Sequence, residues 1–278
     1  MKTLVDGLSF PEGPRWREGR LYFSDFYTHT VHALTDDGEL SIVASVPGQP
    51  SGLGWLPDGR LLIVSMTDRK LLRQEADGKL VEHADLGAIA TFHRNDMVVD
   101  AAGNAYVGNF GFDTHGEPVE PRHADLALVQ PDGTASIAAT ELAFPNGTVI
   151  TPDGTTLIIA ESRARRLTAF DREADGALSN RRVWADLGDH VPDGICLDAD
   201  GAIWVADPRG NCVIRVQQGG AILQTESLDR GAFACMLGGE RGNRLYACTA
   251  TGSGPHAEAR RDGRIEYIDV EVPRAGLP

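Results

Sequence analysis

One short hairpin signature returns along the whole of this 278-residue chain, and it limits the possible folds more than any other feature. Its clearest copy is VPDGICLDADGAIWVAD, residues 191–207. A polar lead, an apolar run, an Asp-Gly turn and a second apolar run close on an acid, Asp207. Asp-Gly between two strand-like runs is a strong short-range signal for a β-hairpin. Further copies read PEGPRWREGRLYFSD, PSGLGWLPDGRLLIVS, RNDMVVDAAGNAYVGN, PNGTVITPDGTTLIIAES and, degenerate, FACMLGGERGNRLYACT. The residue after the polar lead is Gly13, Gly52, Asp96, Gly147, Gly194 and Ala234, at spacings of 39, 44, 51, 47 and 40, with 44 residues remaining.

Each hairpin is followed by one or two more strand-like runs, such as 31–34 with 41–44, or 167–170 with 182–184. Four short strands every 40–50 residues or so is the period of a propeller blade. No stretch of helical length places apolar residues at i, i+3, i+4 and i+7, so alternating strands and helices are excluded. A β-sandwich would not repeat one hairpin at near-fixed spacing, and a β-helix would repeat at a shorter period. The expectation is an all-β, six-bladed β-propeller of four-stranded blades around a central channel, one domain over residues 1–278. A latch between residues 2–5 and 266–272 (EYIDVEV) would close the ring in blade six and remove two sheet edges.

The formal net charge of −14 argues against nucleic acid and anionic membrane as partners. Only residues 163–166 (RARR) form a basic cluster, read as a solvated hairpin. The start, MKTLVDGLSF, has no apolar core of signal-peptide length, and no apolar run of 18 residues or more occurs, which points to the cytoplasm. The Asn146-Gly147-Thr148 sequon is discounted for the same reason. Cys196, Cys212, Cys235 and Cys248 form no C-x-x-C pair and read as buried thiols.

In a propeller the innermost strands all start at one end of the channel, so equivalent repeat positions converge. The position before the register residue gives Glu12, Ser51, Asn95, Asn146, Asp193 and Phe233. Two carboxylates and two amides on buried strand starts are costly unless something satisfies them. Hydrogen bonds to neighbouring backbone would do so. A hard divalent cation such as Ca²⁺, Mg²⁺ or Mn²⁺ would also do so, and the column contains no His or Cys to favour zinc.

The segments PEGPRW, RNDMVVDAAGNAYVGNF, PNGTVITPDGTTLIIAES and VPDGICLDADGAIWVA, in this order and spacing, resemble the senescence-marker-protein/gluconolactonase/luciferin-regenerating-enzyme family, regucalcin-like lactonases. The resemblance implies a six-bladed propeller with one divalent metal in its channel, Ca²⁺ first, with Mn²⁺, Mg²⁺, Fe²⁺ or Zn²⁺ as alternatives. It implies Glu12, Asn146 and Asp193 as metal ligands and Asn95 near substrate and metal. The chain departs from many relatives at His93-Arg94, before the Asn-Asp pair, and in a longer third-blade insertion at 110–123. Placed over the channel mouth, that insertion would act as a lid with Phe112, Asp113 or His115 meeting substrate; the alternative is a Pro-rich surface loop with no role. His93, Arg94 and Asp113 are candidate substrate contacts, with Arg163 and His256 as further candidates.

The activity implied by the resemblance is metal-dependent hydrolysis of a lactone, a sugar aldonolactone first. The metal would act as a Lewis acid, and Asp193 or a metal-bound hydroxide would activate water. Aryl ester or phosphotriester hydrolysis, non-hydrolytic sugar or lactone chemistry at the same metal, and a metal-binding propeller without turnover are the alternatives. G-x-S-x-G, H-E-x-x-H and Walker motifs are absent, which disfavours a serine-triad hydrolase. The His29–His32 pair in blade one reads as surface histidines. The expected partner is a small-molecule lactone, and the expected state is a monomer or weak dimer.

Overall fold

At the register position, the inner strands of neighbouring blades approach too closely for a side chain. A Cβ built on Gly147 would sit 2.4 Å from the Ile195 nitrogen, and one on Gly52 would sit 2.4 Å from the Met97 nitrogen. This crowding explains why the repeat keeps glycine there. The structure is a computed structural model that describes every residue except Glu117 and Pro255.

Six four-stranded antiparallel sheets form a ring, the six-bladed propeller that the repeat predicts. The inner strands are Pro11–Arg17, Pro50–Trp55, Arg94–Val99, Pro145–Ile150, Ile195–Leu197 and Gly231–Gly238. In blade four the order outward is Pro145–Ile150, Thr156–Glu161, Arg166–Arg172 and Leu178–Asp186. The middle strands are almost wholly buried, and the outermost are half exposed, as in Leu178–Asp186. Apolar layers fill the gaps between blades. The layer joining blades five, six and one holds Trp204, Met236, Tyr246 and Phe23. Each such side chain contributes about 1.5–3 kcal/mol through burial.

The ring closes in blade six, where Lys2–Leu8 adds as the outermost strand against Gly263–Asp269. The partner strand begins and ends three residues earlier than the expected 266–272, with Thr3 opposite Glu266 and Leu8 opposite Gly263. The reason lies at Val270, whose N–H leaves the sheet to bond the Asn243 carbonyl at 2.8 Å. Pro273 then follows, without an N–H to continue a ladder.

From there the C-terminal tail crosses the base of the ring, at the opposite end from the strand starts. Arg274 N–H donates to Gly242 O, Ala275 N–H to Leu197 O, and Leu277 and Ile150 exchange bonds at 2.9 Å. The Arg274 guanidinium also reaches Trp16 O at 3.3 Å. The tail thereby touches blades six, five, four and one. No helix among the described residues is long and apolar enough to cross a membrane.

Candidate active site

Glu12, Asn95 and Asn146 are each the second residue of an inner strand, and Asp193 precedes the fifth by two residues. The common start of these strands brings all four to one cavity of about 870 Å³, with Phe233 beside them. Ser51, the remaining member of the column, is 2 % exposed and does not line it. Its carbonyl instead accepts the Ser24 hydroxyl at 2.6 Å, joining blades one and two.

The two carboxylates have little to neutralise them. Glu12 accepts a hydrogen bond from the N–H of Gly13 at 2.8 Å. Burial, then the charge of Asp193, pushes its pKa well above the usual carboxylate range. Burial, then Asp96, does the same to Asp193, against the lowering effect of the Asn146 amide. Asn95 donates from Nδ2 to Pro145 O, and Asn146 from Nδ2 to Ser162, both at 3.3 Å. Their oxygen ends receive no protein donor among the described residues. Two mutually repelling carboxylates and two free amide oxygens around one pocket fit a hard divalent cation, by charge and by donor type.

Asp96 stands where most blades carry glycine, and its carboxylate is held differently. Arg15, itself 4 % exposed, meets it at 2.5 Å and also reaches Leu53 O and Met97 O. This buried pair ties blades one, two and three beneath the column.

The mouth separates the remaining candidates. His93 lines the cavity, stacked on Phe92 at 4.1 Å, with its pKa lowered by burial against the charge of Asp113. Asp113, Thr114 and His115 of the third-blade insertion line it too. The His115 ring packs against Gly254 of blade six, so the insertion reaches across the mouth to the opposite blade. Gly254 N–H in turn bonds the Tyr27 hydroxyl of blade one at 2.6 Å. Phe112 is buried behind the rim, edge-on to Phe144 and under the Arg163 guanidinium at 4.7 Å. Arg163 lines the cavity, whereas His256 precedes the short helix Ala257–Arg260 and does not.

Arg94 does not reach the cavity, against the expectation of a substrate contact there. Its side chain is fully buried and turns outward, with Nη2 donating to Leu86 O at 2.6 Å. Burial lowers its pKa to about 10. Successive strand residues face opposite sides, so Arg94 and Asn95 could not both face the channel.

Apart from Phe233, which belongs to the repeat column, several site residues carried no repeat signal. Phe10, Phe26, Tyr27 and Phe233 make one aromatic wall, with ring centroids 4.7–5.9 Å from Phe10, and Phe110 stacks on Phe144 at 5.2 Å as another. Arg209 lines the rim of blade five. A signal did exist for the acids that end the second strands. Asp25, Glu161 and Asp207 occupy equivalent places, and each fastens loops at the mouth. Asp207 gathers His190 and Cys212 into a group with ligand atoms within 4.8 Å of one another. It already accepts from Arg209 N–H, Gly210 N–H and His190 Nδ1, while burial, then Asp207, pushes the Cys212 thiol to about 11. That group is a hydrogen-bonded brace.

Residues 10–251 match the model of the SMP-30/Gluconolactonase/LRE-like region. The chain belongs to that family. The matched span of this SMP-30/gluconolactonase/LRE-like protein contains all six column residues and the third-blade insertion. It is similar to pentonolactonase XacC of Haloferax volcanii, 30% identical over 96% of this chain and 92% of that one. Among solved structures, a calcium-binding regucalcin from Agrobacterium tumefaciens superposes with TM-score 0.82 at 21% identity, covering 100% and 96% of the two chains. A gluconolactonase from Xanthomonas campestris gives 0.77 at 24% identity, covering 99% and 89%. At these identities the structural likeness establishes the propeller fold for the family member described here.

Proposed function

We propose that this protein hydrolyses a lactone, a sugar aldonolactone first, with one divalent cation held by Glu12, Asn146 and Asp193. The observation that carries this reading is the convergence of two unneutralised carboxylates and two free amide oxygens on one pocket. The family match and the pentonolactonase and gluconolactonase names of similar proteins support the choice of electrophile. Ca²⁺ is the first candidate, on the all-oxygen donor set and the name of the Agrobacterium relative.

A divalent cation bound at these oxygens supplies Lewis acidity toward a carbonyl and charge for its oxyanion. The chain's own residues supply the rest. Asp193, partly open to the cavity, would take the proton of the attacking water through a carboxylate oxygen. The water oxygen would join the carbonyl carbon, the ring C–O bond would break, and the departing alkoxide would take the proton that Asp193 received, which returns the carboxylate to its starting state. The Asn95 amide oxygen accepts from a sugar hydroxyl and fixes the ring. The aromatic walls cover the C–H faces of the sugar and limit water at the carbonyl.

The test is proton release from a panel of sugar lactones by chelator-treated protein, with spontaneous hydrolysis subtracted. Ca²⁺, Mn²⁺, Mg²⁺, Fe²⁺ and Zn²⁺ are returned one at a time. Restored turnover on a sugar lactone is the expected result. Metal binding without turnover on any lactone would overturn the reading.

A further inference from the structure

The rim of the cavity on blades four and five carries positive charge with no protein partner. Arg163 and Arg209 both line the same pocket as Glu12 and Asp193. Among the described residues, neither guanidinium donates to a protein acceptor or meets a carboxylate. Their neighbours behave otherwise. Arg165 pairs with Asp189 at 3.3 Å, and Arg166 and Arg181 meet Glu161 at 2.9 and 3.2 Å. In a chain with 40 acidic side chains against 26 basic ones, free arginines facing a pocket call for an explanation.

Both side chains are exposed to solvent at the rim; that of Arg163 is packed, and that of Arg209 starts from a fixed backbone. The Arg163 guanidinium carbon lies over the Phe112 ring, 4.7 Å from its centroid, and its N–H groups meet no protein acceptor among the described residues. A guanidinium held in this way matches a planar anion with two parallel hydrogen bonds. Arg209 begins in a turn pinned by Asp207, whose Oδ1 accepts the Arg209 and Gly210 N–H groups at 3.0 and 2.9 Å. None of the acids lining the mouth pairs with either arginine, although Asp113 follows Phe112 in sequence. Glu258 belongs to blade six, and Asp113 belongs to the insertion, where its Oδ1 accepts the His115 N–H at 2.9 Å. The cavity is at the upper end of the range for small-molecule sites, which leaves room for a substituent beyond the ring.

We propose that Arg163 and Arg209 form an anion subsite, and that the preferred substrates are lactones bearing a carboxylate or phosphate ester on the carbon remote from the lactone carbonyl. This rests on the lactonase reading for its chemistry, not for its anion-binding part. The two arginines offset locally the repulsion that a net charge of −14 imposes on an anionic substrate, and they draw its charged end to blades four and five. The lactone carbonyl is then left over the acid–amide column.

The test compares neutral glucono-1,4-lactone with glucaro-1,4-lactone and with a 6-phosphorylated gluconolactone, all at saturating metal. The proteins are wild type, Arg163→Gln, Arg209→Gln and the double variant, with Arg163→Lys as the charge-conserving control. We expect an anionic-to-neutral ratio of kcat/KM of about tenfold or more in wild type, falling to near one in the double variant and partly kept by Arg163→Lys. Raising salt should narrow the ratio in wild type and leave it unmoved in the double variant. Whichever of the two anionic lactones gives the larger ratio assigns the carboxylate or the phosphate. A wild-type ratio near one, or a ratio that survives the double substitution, would overturn the subsite.

Calorimetric titration of the metal-loaded proteins with glucarate and gluconate separates the two readings if no lactone turns over. A glucarate preference that disappears in the double variant would keep the subsite while the hydrolytic reading falls. No preference would remove both.

Discussion

At the mouth end of the blades the chain places two kinds of buried acid, one on the inner strands and one across the same hairpins at the ends of the second strands. Glu161, of the second kind, accepts from Ala143 N–H, the Thr168 hydroxyl, Arg166 and Arg181. Asp25 likewise takes the N–H groups of Ser9 and Phe10 at 3.1 and 2.7 Å. Glu12 and Asp193 face each other across a pocket, with one backbone N–H and one amide between them. A carboxylate supplied with donors fastens loops. A carboxylate denied them, beside another, stores a demand for positive charge. The Asp96–Arg15 pair shows that the fold can neutralise an inner-strand acid internally, and it does so one residue from Asn95.

The difference is broken most severely at Asp193. Asp193→Ala should reduce lactone turnover by a factor of about a thousand or more, read as kcat at saturating metal, with little loss of stability. Glu161→Leu should do the reverse. It strands Arg166, Arg181 and the Ala143 N–H and should cost about 3 kcal/mol in urea unfolding, while the metal still binds. Next in size is metal removal. Returning Ca²⁺ at a hundred times its Kd to chelated protein should add about 2.7 kcal/mol, and Glu12→Gln should remove that gain.

The last effect is in pH. Folded, metal-free protein holds protons on Glu12 and Asp193 more tightly than the unfolded chain does. Its stability should therefore fall as pH rises from the ordinary carboxylate range toward neutrality, by about 1.4 kcal/mol per unit of raised pKa. Glu161 has the opposite sign: burial raises its pKa, but the Ala143 N–H, Thr168 and Arg166 hold it below the usual value. Its contribution is present above the ordinary range and fades as pH falls through that lowered value. Urea midpoints at pH 5 and 7.5 for wild type and for Glu12→Gln with Asp193→Asn separate the two: the variant should lose the downward slope toward neutrality.

Much of this was legible in the sequence because a propeller turns repeat position into spatial position. The six-bladed ring and the meeting of Glu12, Asn95, Asn146 and Asp193 follow from one aligned column. Orientation was less legible. His93 and Arg94 are adjacent in sequence, yet one faces the cavity and the other is buried among the Leu86 and Val107 carbonyls. Apart from Phe233, the aromatic walls and Arg209 come from connections that do not repeat. The latch was placed in the right blade, but its end was set by a hydrogen bond from Val270 to a turn 27 residues earlier, which no local pattern announces. The same is true of the tail at 273–277, which has no strand alternation of its own.

Both ends of the chain hold the ring, one at the outer edge of blade six and the other across the base. Each clasp joins parts far apart in sequence, and contacts made after the folding transition state act on the rate of unfolding rather than of folding. The time for which the ring stays shut should therefore depend on these few terminal residues more than on any blade interior. Without residues 271–278 the ring would keep its six hairpins and its acid–amide column, yet open sooner under heat, denaturant or a protease.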